Sequence, residues 1–113
     1  MIYRSTTALV AAFLIAFAAS AFANTVTTWG GFSCRNFLLE ISKGEAGEIG
    51  VVDDVRWMEG YLSAMAIHLP TKSDPLKYAD AETMRDWTNK YCQSNPTKDG
   101  AAAADTLFER LNK

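Results

Sequence analysis

The sequence predicts a small all-α domain, a bundle of about four helices with one intramolecular disulfide, and three observations carry that expectation. Apolar residues recur at three- and four-residue steps along four segments. Each of these segments opens behind a Ser, Asp or Thr suited to capping a helix. No segment alternates apolar and polar residues as a half-buried strand does.

The elements follow in chain order. Arg4 precedes an apolar run from Ala8 to Ala19, and Ala21-Phe22-Ala23 has the small-x-small pattern of a signal-peptidase site. Residues 1–23 therefore read as a secretory signal peptide, cleaved to leave Asn24 at the new terminus. Its apolar run is about a dozen residues, short of the ~20 that span hydrocarbon, so no membrane span is expected in the mature form. Export leads to an oxidising compartment, and what remains is a single small domain whose core is marginal for its size. Cys34 and Cys92 are the only cysteines and allow one intramolecular bridge, with an intermolecular bridge or a reactive thiol as the alternatives. Closing that loop is worth about 4 kcal/mol in the chain-entropy model.

Residues 24–32, polar and Thr-rich with Gly30-Gly31 near their end, are expected to form a flexible lead-in to a helical domain over 33–113. Ser33 suits the cap of a short helix from about Cys34 to Ile41, with Phe37, Leu38 and Ile41 on one face. Gly44, Gly47 and Gly50 follow among charges and read as a flexible connector. They do not read as a phosphate loop, since no strand precedes them and no Lys-Ser or Lys-Thr pair follows. Asp53 or Asp54 is expected to cap the strongest helix, in which Val55, Met58, Leu62, Met65 and Leu69 form one stripe and Trp57, Tyr61, Ala64 and His68 a second. Gly60 within this helix suggests a second backbone packed closely against it. Leu69-Pro70 should end the helix, because the residue before proline is driven out of helical geometry. After a loop over Thr71 to Asp74, Asp80 caps a third helix carrying Met84, Trp87 and Tyr91 and ending near Cys92. Asn95-Pro96 marks a turn, and Thr97 or Asp99 opens a last helix with Ala101, Ala104, Leu107, Phe108 and Leu111 on its apolar face.

Composition narrows the function. Thirteen Asp and Glu stand against eleven Lys and Arg, Arg4 among them, with both signs mixed and no basic block to follow a phosphate backbone. Nucleic acid is not an expected partner. His68 is the only histidine, too few for a multi-histidine metal site, and paired cysteines would leave no thiolate. Asp53, Asp54 and Glu59 already have a capping role at the helix start, so neither an enzyme nor a cofactor is expected. Soft and aromatic side chains remain in surplus, with Trp57, Met58, Tyr61, Leu62 and Met65 as the candidate contact surface for another protein. His68, Asp53 and Asp54 are the candidate pH-sensing groups.

The order Cys34-Arg35-Asn36-Phe37-Leu38, then Trp57-Met58-Glu59-Gly60-Tyr61-Leu62-Ser63, then Trp87 with Tyr91-Cys92-Gln93-Ser94-Asn95-Pro96, resembles the HdeA/HdeB family of periplasmic acid-stress chaperones. The resemblance runs from about Phe32 to Leu111, and Tyr-Cys-x-x-Asn-Pro downstream of Cys-x-x-Phe-Leu is its most specific part. It implies a helical, single-disulfide periplasmic domain, often a homodimer near neutral pH. In strong acid such a domain loosens and holds unfolding client proteins on uncovered apolar surface without ATP. By position Cys34 and Cys92 match the family's disulfide, and Trp57 to Leu62 its apolar helix. A second expectation, from another class, is a periplasmic inhibitor or immunity protein that binds one enzyme or toxin while folded.

Overall fold

The computed structural model describes residues 31–113, so the expected signal peptide and most of the expected lead-in lie outside the described residues. Within them the chain is all-α, with four helices and the Cys34–Cys92 disulfide. Helix α1 spans Cys34–Ser42, and the Ser33 hydroxyl caps it by accepting the Asn36 N–H at 3.1 Å. A single 3₁₀ turn over Gly44–Gly47 leads into α2, Glu48–His68, which then stops at Leu69 ahead of Pro70. Asp80 caps α3, Ala81–Ser94, by accepting the Thr83 N–H at 2.8 Å, and Asp99 caps α4, Gly100–Leu111, by accepting the Ala102 N–H at 2.9 Å. Of the two residues suited to opening the last helix, Asp99 does so and Thr97 does not.

Helix α2 is the centre of the bundle and packs against the other three. Val51, Val55, Met58 and Leu62 recur along its inner face and are buried against Phe37 of α1, Met84 of α3 and Ala103, Leu107 and Phe108 of α4. The disulfide, fully buried, ties the first turn of α1 to the last turns of α3 across 58 positions. Thr88, a polar residue in this core, is satisfied: its hydroxyl donates to the Met84 carbonyl at 2.7 Å and lies 3.2 Å from the Met58 sulfur.

Three expectations are corrected. Asp53 and Asp54 do not cap α2, which begins five positions before Asp53, at Glu48. The glycine segment is not a flexible connector, for Gly47 is buried and Gly50 lies within α2. A Cβ on Gly47 would overlap the Glu40 carbonyl, so the missing side chain is what lets the end of α1 sit on the start of α2. Among the described residues only Gly44 uses glycine's conformational freedom, turning the chain at φ 60°. Gly60, by contrast, faces open space, and no backbone packs closely on it.

The domain also begins before Ser33. Phe32 is buried, its carbonyl accepts the Gly100 N–H at 2.7 Å, and the Cys34 N–H donates to the Lys98 carbonyl at 2.9 Å. Gly100 is small because the Phe32 ring occupies the place its Cβ would take. Among the described residues no helix is long and apolar enough to cross a membrane.

Candidate functional site

Helix α2 carries most of the residues that the sequence singles out, and its periodicity distributes them over distinct faces. Met58 and Leu62 point inward and are fully buried, so they offer no contact surface while the bundle is closed. Trp57 and Tyr61, one turn apart, lie half-buried on the flank, their rings stacked at 5.0 Å. Trp57 also meets Phe32 edge-on at 5.8 Å and lies over Gly31. The Tyr61 hydroxyl donates to Asp105 of α4 at 2.9 Å, and burial, reinforced by this bond to a carboxylate, pushes its pKa up to about 12. Met65, partly buried, lines a shallow groove between the end of α2 and α4, together with Leu69, Pro70 and Phe108.

The candidate pH-sensing residues do not form one site. His68 is exposed in the last turn of α2, roughly 20 Å along the helix from Asp54 at 1.5 Å per residue. Asp53 is exposed. Asp54 differs: it is half-buried on the side of α2 that meets α1, and its pKa is pushed up to about 6. Burial is the main cause, and the neighbouring charges of Asp53 and Glu40 add to it.

Other carboxylates cap or bridge the helices at the surface. Glu48, in the first turn of α2, takes both ends of the Arg85 guanidinium of α3, at 2.5 and 3.0 Å, and that pairing keeps its carboxyl below the ordinary range. Asp80 is also held low, chiefly by the Thr83 backbone N–H that it caps. Beside the Glu48–Arg85 pair, Val51, Val55 and Ala81 floor a groove of about 550 Å³ between α2 and α3, with Arg56 and Asp86 on its rim. On the opposite side, Trp87 of α3 donates its indole N–H to the Ala103 carbonyl at 3.3 Å and lies under the Arg110 guanidinium at 4.6 Å.

Sequence reasoning missed Glu48, Arg85 and Asp105. Glu48 and Arg85 are 37 positions apart and Tyr61 and Asp105 are 44 apart, so no local spacing announces either pair. Among the described residues no group of three or more His, Cys, Asp or Glu side chains is placed to hold a metal ion. No protein-family model, no curated protein and no solved structure matches this chain, so the site is read from its own geometry.

Proposed function

We propose that the protein is an exported, acid-activated chaperone-like protein of the HdeA/HdeB kind, which holds unfolding periplasmic client proteins without ATP. One observation carries the reading: the buried Met58–Leu62 face of α2 is roofed by helices whose ends and seams are capped and bridged by carboxylates. Asp80 and Asp99 cap α3 and α4, Glu48 joins α2 to α3, and Asp105 joins α4 to Tyr61.

The direction with pH follows from the lowered carboxyls. A group whose pKa falls on folding stabilises the fold above its unfolded value, and that contribution disappears as pH drops through the folded value. Glu48 and Asp80 are of this kind, so their support lasts through mild acid and is lost in strong acid. Protonation also leaves the chain strongly cationic, which strains the compact state and keeps an opened one soluble. The disulfide limits the opening, because α1 and α3 stay joined while α2 and α4 loosen around them. Met58, Leu62, Met84 and the aromatic residues beside them would then be available to a client, and the closed form near neutral pH would be a monomer or homodimer.

The test follows aggregation of an acid-labile periplasmic protein at about pH 2.5, with and without the oxidised protein, alongside binding of a hydrophobic dye at both pH values. Suppression together with dye uptake only in acid is expected. Unchanged aggregation at several-fold excess overturns the reading.

A second reading has its own observation. Ile49, Ile67 and Tyr78 are 80%, 76% and 83% exposed in the closed fold, as they would be in an inhibitor or immunity protein that binds one enzyme or toxin while folded. One stoichiometric partner captured at neutral pH, with no activity in acid, would favour it.

A further inference from the structure

The corner between α1 and α2 presses two carboxylates from different helices into one seam. With no side chain at Gly47, the end of α1 lies against the start of α2. A Cβ on Gly50 would meet the Glu40 side chain, with Cγ and Cδ at 3.0 Å and Oε2 at 3.1 Å. The Glu40 carboxyl therefore rests on the strip of α2 that Gly50 leaves bare, and Asp54 is the next residue on that strip, one helical turn along. Lys43 binds Glu40 at 3.0 Å, whereas among the described residues none donates a hydrogen bond to Asp54.

We propose that Asp54 is a proton latch: in mild acid a proton on its carboxyl removes the cost of holding a half-buried charge, beside Asp53 and Glu40, at the α1–α2 seam, so the bundle is tighter near pH 5 than near pH 7 and opens only on further acidification. As the setting of an acid trigger, the latch rests on the function proposed above. As a property of the fold it stands apart from that function.

The charges that face Asp54 are Asp53 on its own helix and Glu40 on α1, with Lys43 tied to Glu40. The charged residues of α3 beside α2, namely Glu82, Arg85 and Asp86, line the groove with Arg56 and Glu59, while Asp99 and Asp105 of α4 act on Tyr61. The sign is opposite to that of Glu48 and Asp80. Asp54 has a folded value of about 6 against an ordinary 3.8, so the folded state binds its proton more tightly. Stability rises as pH falls through about 6, and the gain is complete below the ordinary value. Between pH 7 and pH 5 these two values set an upper limit of about tenfold on the fall in the unfolding constant, and solvent screening of a half-exposed carboxyl reduces it to about threefold. Below that window the loss of support at Glu48 and Asp80 takes over, and the stability profile peaks in mild acid.

Denaturant unfolding of the oxidised protein between about pH 7 and pH 5 tests this. The wild type should gain about threefold, and no more than about tenfold, in its folding constant, and Asp54→Asn should already be more stable at neutral pH and show no further gain. Glu40→Gln should move the rise to lower pH, and His68→Asn should leave it in place. A wild type that loses stability over this range, or an Asp54→Asn variant that keeps the full rise, overturns the latch. If a variant fails to fold, the carboxyl carbon of Asp54 in the wild type is followed by NMR. A midpoint near 6 supports the proposal, and one in the ordinary carboxylate range ends it. Client protection at about pH 2.5, assayed separately, distinguishes failure of the latch from failure of the chaperone reading.

Discussion

The two halves of α2 use the same residue type in opposite ways. At the start of the first half, Gly47 at the cap and Gly50 within the helix are places where α1 comes down onto it, and Val51 and Val55 are buried in the core. In the second half Gly60 faces open space and Ser63, Ala64 and Ile67 are exposed, while Met58 and Leu62 are buried in the core and Tyr61, Met65 and Ala66 pack partly against it. Glycine in a helix costs stability unless the absent side chain is what permits a contact. The first half is clamped on two sides, and the second is held mainly by its inner face.

Breaking the clamp gives the largest expected effect. Reducing the disulfide, or replacing both Cys34 and Cys92 by Ser, removes the bond that holds α1 and α3 on either side of the first half. A loss of about 4 kcal/mol in denaturant unfolding is expected, most of the stability of a domain this small. Gly47→Ala should come next, with a loss of about 1 to 3 kcal/mol, because the added methyl meets Glu40 backbone that has no room to yield. Gly60→Ala should go the other way. Nothing lies within 4 Å of that Cβ, so the substitution gains helix propensity, up to about 1 kcal/mol. If both substitutions shift the unfolding midpoint in the same direction, the contrast between the two halves fails. The smallest effect belongs to Ile67→Lys, on the exposed side of the second half, where a change within about 0.5 kcal/mol is expected at pH 7. The same variant sharpens the functional question. It should leave acid-stage client protection intact and would weaken binding only if a folded partner docks on that face.

Legibility in the sequence followed the range of the interaction. Ser33, Asp80 and Asp99 announce three helix starts because a cap bonds to a backbone group only three residues away. Leu69-Pro70 announces the end of α2 for an equally local reason. The start of α2 was hidden because Gly47, which stands at its cap, has no side chain to make a capping bond. The charged glycine-rich segment also resembles a loop until α1 is placed against it. Within the candidate site, the helical spacing of Trp57 and Tyr61 was legible, while their contacts with Phe32 and Asp105 depend on distant segments.

What the sequence by itself determined is the class and number of helices, most of their ends and the pairing available to its two cysteines, since each follows from periodicity, local capping or simple counting. Tertiary structure decided which of two adjacent aspartates matters. Asp53 and Asp54 are indistinguishable along the chain, but one helical step separates an exposed carboxylate from one half-buried beside Glu40. The reason is physical: burial and neighbouring charge set a proton's affinity, and both are properties of the packed surface around the group.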